Sequence, residues 1–198
     1  ELKQERGDVW YTQGWLNAKA GKFAAAREAL QKSLALQPTP ETAMLLFTTI
    51  NSQGQPDEAL PMLAEWSEKF PQNTSLMVVL GEAYLARNET EKAIGVYKRL
   101  LEVDSQSVLA LNNLAWLTRE TNPKQALEYA AQGNALAPKD PFMLSTYGTL
   151  LANNGKPAEG EQMLRQAAAL YPANMQIKLD LGRLLLSIGK PTAAKPHL

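Results

Sequence analysis

The chain has 198 residues, with 20 basic and 20 acidic side chains and a formal net charge of zero. The balance is also local, since residues 1–99 carry 11 basic and 12 acidic groups and residues 100–198 carry 9 and 8. This excludes the strongly basic surface that nucleic-acid binding requires. The absence of cysteine excludes disulfides, thiolate metal ligands and a cysteine nucleophile. No apolar run approaches the roughly 20 residues of a membrane span, so we expect no direct membrane insertion.

Comparison of the chain with itself gives a period of 33 or 34 residues, which is typical of two-helix repeats. We therefore predict a single array over residues 1–198. The predicted repeats cover residues 7–39, 40–73, 74–107, 108–140 and 141–174, with a truncated sixth at 175–198. The chain starts at Glu1 rather than at Met and ends inside a repeat, so we expect it to be a segment of a longer protein.

Small residues recur at two positions of the repeat. The first position, in the predicted first helix (helix A) of each repeat, holds Gly14, Gly81, Ala115, Gly148 and Gly182. The second position, in the second helix (helix B), holds Ala26, Ala59, Ala93, Ala126, Gly160 and Ala194. Only the second repeat departs from this pattern, with Phe47 at the first position. The pattern predicts two antiparallel helices that cross too closely for larger side chains.

Glycine and proline mark the predicted helix ends. Glycine stands at the end of helix A, where a left-handed residue is needed, at Gly21, Gly54, Gly155 and Gly189. Proline starts helix B at Pro56, Pro123, Pro157 and Pro191, and it ends helix B at Pro38, Pro71, Pro138 and Pro172. Asp140 is predicted to cap the helix that follows it.

Two places fit the repeat poorly. Pro61 lies beyond the first turn of its predicted helix, which predicts a kink or a late helix start. The fourth repeat is one residue short in its turn at residues 121–123.

Large apolar residues surround the small ones at helical spacing, as with Trp10, Gly14, Ala26 and Leu30 in the first repeat. The pattern resembles that of the tetratricopeptide repeat (TPR). The resemblance covers nearly the whole chain and implies an all-α fold, a right-handed superhelical solenoid of helix hairpins with helix A on the concave side. It also assigns Trp10 to the core between helices.

The truncated sixth repeat is expected to leave an unpaired apolar edge. Its apolar residues include Leu179, Leu184 and Leu185. Such an edge can stack on a second copy of the chain, so self-association is one expected interaction.

The sequence offers no catalytic, metal-binding or cofactor-binding constellation. Its single histidine, His197, lies in a segment expected to be exposed or frayed. Phosphate-binding, zinc-protease and serine-hydrolase motifs are all missing. Acidic pairs such as Asp57 and Glu58 fall at helix starts, where carboxylates stabilise the helix dipole. We therefore expect a noncatalytic protein.

The TPR resemblance also implies which residues face the concave groove. The predicted groove residues are Tyr11, Trp15, Met44, Asn51, Glu82, Asn112, Trp116, Arg119, Phe142, Asn153 and Arg183. Aromatic and amide side chains are typical of a site for an extended peptide, whose backbone can bond to amides while its side chains contact the rings. Tryptophan is also common in the core of repeat proteins. For Trp15 and Trp116 the sequence therefore leaves two positions open, the groove and the core.

Residues 110–116, read as Ala-Leu-Asn-Asn-Leu-Ala-Trp, resemble the repeats of bacterial TPR lipoproteins associated with exosortase sorting of PEP-CTERM proteins and with exopolysaccharide production. Residues 125–130 and 136–138 extend the resemblance. It implies a periplasmic location in the bacterial envelope, with a lipid anchor on the complete protein. A cytoplasmic location is the alternative.

Two functions follow from these observations. The first is a noncatalytic scaffold that binds an extended peptide or a partner protein in its groove, in envelope protein sorting or exopolysaccharide export. The second is an accessory region that presents substrates to a larger enzyme, such as a glycosyltransferase.

Overall fold

The computed structural model of the chain describes residues 2–198, with side chains from Arg6 onward. This part of the chain is all-helical and contains no strand. The helices are α1 Leu2–Lys19, α2 Phe23–Leu36, α3 Pro40–Ser52, α4 Pro56–Lys69, α5 Thr74–Ala86, α6 Thr90–Val103, α7 Val108–Thr118, α8 Pro123–Leu136, α9 Pro141–Asn153, α10 Pro157–Leu170, α11 Met175–Ser187 and α12 Pro191–Ala194, followed by a 3₁₀ turn at Lys195–His197. Helices α3, α5, α7, α9 and α11 begin at the residues where the predicted second to sixth repeats begin. The predicted all-α fold of helix hairpins is confirmed.

The chain divides into two compact units, the first ending at Val96 and the second beginning at Tyr97, inside α6. In the first unit α1 packs on α2, α3 packs on α4, and α3 also contacts α1 and α5. In the second unit α7 packs on α8, α9 packs on α10, and α9 also contacts α7 and α11. Successive A helices therefore lie side by side within each unit.

The predicted helix ends are confirmed. All four glycines at the A-helix ends have positive φ, between 71° and 81°, and Asn88 takes this conformation, with φ 58°, in the third repeat. Side chains also cap the A helices, because Asp140 accepts a hydrogen bond from the backbone N–H of Met143 at 2.7 Å and Asn174 accepts one from Ile177 at 3.0 Å. The short turn of the fourth repeat is also observed, since α8 begins 15 residues after α7, whereas α4 begins 16 residues after α3.

The structure differs from the sequence predictions at Pro61 of helix α4 and at Trp10 of the first repeat. Helix α4 begins at Pro56 and continues through Pro61, so the late start predicted for it does not occur. A proline in the second turn removes one hydrogen bond, and the buried Leu60 and Leu63 on either side hold the helix to its neighbours. Trp10, assigned to the core, is half-buried, with the Lys32 ammonium 4.5 Å from its ring centroid.

The end of the chain is better covered than the sequence predicts. Leu185 is fully buried and Leu184 is 8% exposed, because α10 and α12 enclose them together with Leu164, Leu181 and Ala194. The apolar edge expected there is therefore wrong for Leu184 and Leu185, while Leu179 is half-buried. His197 is also half-buried rather than exposed or frayed.

Ion pairs join neighbouring repeats on the side of the B helices. The carboxylate of Glu161 in α10 accepts hydrogen bonds from Lys190, at 2.7 Å, and from Arg165, at 2.9 Å. These two cations lower the pKa of Glu161 below its ordinary value, and Lys190 has the larger effect. In the first unit the Arg27 guanidinium forms a bidentate pair with Glu58. The Arg27–Glu58 pair joins the first two repeats, and the Lys190–Glu161 pair joins the fifth and sixth.

No helix of residues 2–198 combines the length and the apolarity needed to cross a membrane.

Candidate functional site

The A helices of the second unit, α7, α9 and α11, bound two adjoining clefts. Positions spaced by three or four residues share one face of a helix, as do residues 112 and 116 of α7 and residues 142, 145 and 149 of α9. These two faces line the clefts. The first cleft, of about 330 Å³, is called the Phe142 cleft; its lining includes Asn112, Trp116, Phe142, Ser145, Gln176 and Asp180. The second, of about 350 Å³, is called the Asn153 cleft; its lining includes Trp116, Thr149, Asn153, Asp180, Arg183 and Ser187.

Trp116 is the ridge between these two clefts, since it lines both. Its side chain is 41% exposed, which places it on the surface rather than in the core. The guanidinium carbon of Arg119 lies 4.0 Å from the ring centroid, and Nη1 of Arg119 donates a hydrogen bond to the Trp116 carbonyl at 2.6 Å. A cation over the indole is a favourable contact. Trp116 is therefore a large aromatic side chain that Arg119 contacts on its ring and that remains partly exposed to solvent.

Phe142 forms the opposite wall of the Phe142 cleft. The ring is 51% exposed and meets the ring of Tyr171 edge to face, with centroids 5.8 Å apart. Edge-to-face packing fixes the orientation of the ring while leaving one face free. The cleft thus has an exposed aromatic ring on each of two adjacent A helices.

Polar groups also lie between these walls. Asp180 accepts hydrogen bonds from Nε2 of Gln176, at 2.8 Å, and from Oγ of Ser145, at 3.3 Å. Ser145 is only 6% exposed. The amide oxygen of Asn112 is buried and has no hydrogen-bond partner within the described part of the chain. The cleft therefore offers oxygen acceptors at its base.

The predicted groove residues of the first unit lie in separate, smaller clefts. Trp15 is 42% exposed and lines a cleft of about 220 Å³ with Thr48, while Lys19 lies 5.6 Å from its ring centroid. Asn51 and Glu82 share a cleft of about 300 Å³ between α3 and α5. Trp15 and Trp116, for which the sequence allowed either the groove or the core, are thus both on the surface.

Two other predicted residues lie apart from these. Tyr11 lines a cleft of about 230 Å³ with Asp8 and Thr39. Met44 is half-buried on α3, where its carbonyl accepts a hydrogen bond from the Thr48 hydroxyl at 3.0 Å.

The structure brings six predicted residues together in the second unit and adds a charged residue that the sequence prediction missed. Asn112, Trp116, Phe142, Asn153 and Arg183 line the two clefts, and Arg119 stacks on Trp116. The missed residue is Asp180, which lines both clefts. Its spacing of four residues from Gln176 and three from Arg183 was the signal that could have found it.

The part of the chain with described side chains contains no group of three or more histidine and carboxylate residues that could hold a metal ion.

Three family models match the chain, and each is described as a tetratricopeptide repeat. They match residues 7–40, 51–116 and 148–194.

Curated proteins similar to this chain include ones from bacteria and from yeast. A TPR repeat-containing protein of Pseudomonas aeruginosa is 25% identical over 158 residues, which is 78% of this chain and 27% of the relative. The type IV pilus assembly protein PilF of the same species is 32% identical over 123 residues, covering 61% of this chain and 49% of PilF. The peroxisomal targeting signal receptor of Kluyveromyces lactis is 24% identical over 188 residues, covering 92% of this chain and 33% of the receptor. The chain thus spans between about a quarter and half of the length of these relatives.

Solved structures show the same fold. A tetratricopeptide repeat protein from Parabacteroides merdae superposes with a TM-score of 0.79 at 20% identity, covering 98% of this chain and 77% of that one. YrrB, described as a TPR protein with an unusual peptide-binding site, superposes with a TM-score of 0.67 at 16% identity, covering 85% of this chain and 88% of that one.

Proposed function

Since this chain is a tetratricopeptide repeat protein, we propose that it is a noncatalytic scaffold that holds an extended segment of a partner protein in the clefts of its second unit. The observation that carries the proposal is Trp116, a 41% exposed indole on the ridge shared by two clefts. Tryptophan is enriched among the residues that contribute most of the free energy of binding at protein interfaces.

The two clefts have the chemistry that an extended peptide needs. The backbone of a peptide presents N–H and C=O groups that must find partners, and Asn112 and Asn153 can supply them. Side chains of the peptide can contact Trp116 and Phe142. Two relatives support this proposal, because one is named as a receptor for a targeting signal and YrrB is described as having a peptide-binding site.

The proposal is tested by selecting random twelve-residue peptides on the purified chain and measuring their dissociation constants. Trp116→Ala should weaken the selected peptides by at least about ten-fold, because hot-spot aromatics contribute about 2 kcal/mol or more. Its melting temperature should stay close to that of the parent, because the ring is half-exposed. Leu136→Ala, at a residue 44% exposed at the end of α8, is the control and should not change binding. Failure to select any peptide, or equal binding by Trp116→Ala, would overturn the proposal.

We further propose that the partner belongs to an assembly of the bacterial envelope, with the scaffold in the periplasm and held there by a lipid anchor on the complete protein. The support is the likeness to PilF, whose name places it in pilus assembly, together with the resemblance of residues 110–116 to bacterial TPR lipoproteins. Protein sorting at the envelope and exopolysaccharide export are the two processes that this resemblance suggests.

Expression of the complete gene, followed by cell fractionation, tests the envelope proposal. We expect the protein in the membrane fraction, labelled by a radioactive fatty acid. Recovery in the cytoplasm would contradict the location. A catalytic domain encoded in the same gene would instead favour the substrate-presenting role in a larger enzyme.

A further inference from the structure

We infer that the Phe142 cleft selects a basic side chain, lysine or arginine, of the bound segment and seats its cation against Asp180. This inference rests on the proposed function and specifies its ligand.

The charge in the cleft favours a cation. Among the described residues that line the Phe142 cleft, Asp180 is the only one with a charge. The residue is half-buried, so its carboxylate is less screened by water than one on the open surface. An acidic side chain placed beside Asp180 would bring two like charges together, which disfavours it.

The hydrogen bonds of the cleft point the same way, because three of its donors are already engaged. The Ser145 hydroxyl and the Gln176 amide N–H donate to Asp180, and the Asn113 amide N–H donates to the Leu109 carbonyl at 3.0 Å. The carboxylate of Asp180 is not saturated, because each of its oxygens accepts one hydrogen bond and a carboxylate oxygen has room for a second. Lysine and arginine carry donors and no acceptors, so they complement these groups.

The walls of the cleft suit the rest of such a side chain. The stems of lysine and arginine are apolar and pack on hydrophobic surface while the charged group reaches a polar partner. Phe142 and Trp116 offer exposed rings on two helices, and Ile177, 2% exposed, adds an apolar surface at the base. Because Arg119 already covers part of the Trp116 ring, these walls contact the methylene stem and the cation itself goes to Asp180.

The test uses pairs of acetylated and amidated peptides from the selection described above, so that neither terminus carries a charge. Each pair has arginine at one position in one member and citrulline, its neutral counterpart, in the other. On the parent chain the arginine member should bind about ten-fold more tightly at one position, which is the size expected of a charge-assisted hydrogen bond. This comparison requires no variant of the protein.

Variants then assign the preference to Asp180. Asp180→Asn, which keeps one oxygen acceptor, should remove the preference for arginine while leaving the citrulline peptide bound as before. Glu128→Gln, the same change of charge at an exposed residue of α8, should leave the preference intact. Asp180→Lys should favour glutamate at the same position.

The outcomes separate this inference from the function on which it rests. Peptides that bind through Trp116 without a preference for arginine, or with one that survives Asp180→Asn, would overturn the inference and leave the scaffold proposal standing. A preference for acidic residues on the parent chain would also overturn it. If no peptide binds at all, the scaffold proposal fails first.

Discussion

Leu185→Ala should lower the free energy of unfolding by about 2–5 kcal/mol, the usual cost of emptying a leucine site in a packed core. Leu185 has no exposed surface and lies among Leu164, Leu181 and Ala194. The alanine would leave a cavity between α10, α11 and α12 that the short final helix is poorly able to close. Folded domains have a total stability of about 5–15 kcal/mol, so this loss would be a large share of it.

Urea denaturation followed by circular dichroism measures this effect. The neighbouring residue supplies the control, because Leu186 is 47% exposed and Leu186→Ala should change stability by no more than about 0.5 kcal/mol. If Leu185→Ala cost as little as Leu186→Ala, α12 would not cover α11 in solution. The predicted apolar edge would then exist after all.

Gly160→Ala should destabilise the second unit by about 1–3 kcal/mol, because the added methyl group has no room. A Cβ at residue 160 would lie 2.5 Å from the carbonyl oxygen of Gly148 and 3.0 Å from the backbone nitrogen of Ala152. Both are backbone atoms, which side-chain rotation cannot displace. Helices α9 and α10 would have to separate, and the residues packed between them would lose contact.

The matched control for this substitution is Gly95→Ala, in the middle of α6. A Cβ at residue 95 would meet nothing within 4 Å, so only the helix propensity changes, and this should stabilise the protein by up to about 1 kcal/mol. Thermal unfolding of the two variants beside the parent gives the comparison. If Gly160→Ala also stabilises, the close crossing of α9 and α10 is not maintained in solution.

The fold could be predicted from the sequence because its determinants are local and repeated. Glycines at the ends of the A helices, such as Gly54 and Gly155, mark left-handed residues that few other side chains adopt. Gly148 and Gly160 mark a helix crossing by their size alone. Each signal recurs in most repeats, so an exception such as Asn88, which stands in place of a turn glycine, does not hide the pattern.

The candidate site could be predicted only in part, because burial depends on contacts between repeats. Periodicity places Trp116 on the A-helix face but does not decide how much of the ring neighbouring helices cover. Asp180 accepts a hydrogen bond from Ser145, which is 35 residues earlier in the chain, and helical spacing alone does not predict such a contact. The coverage of Leu185 likewise depends on how α12 folds back, and no repeat pattern within a truncated hairpin contains that information.

The contact between Arg119 and Trp116 also affects the thermodynamics of binding. A free surface tryptophan loses rotational freedom when a ligand packs on it, and this loss opposes association. Here the guanidinium lies 4.0 Å from the ring centroid and is itself bonded to the Trp116 carbonyl, so the ring is restrained before any ligand arrives. The entropy of fixing the indole is then lost during folding rather than during binding, and a partner meets a preorganised ridge.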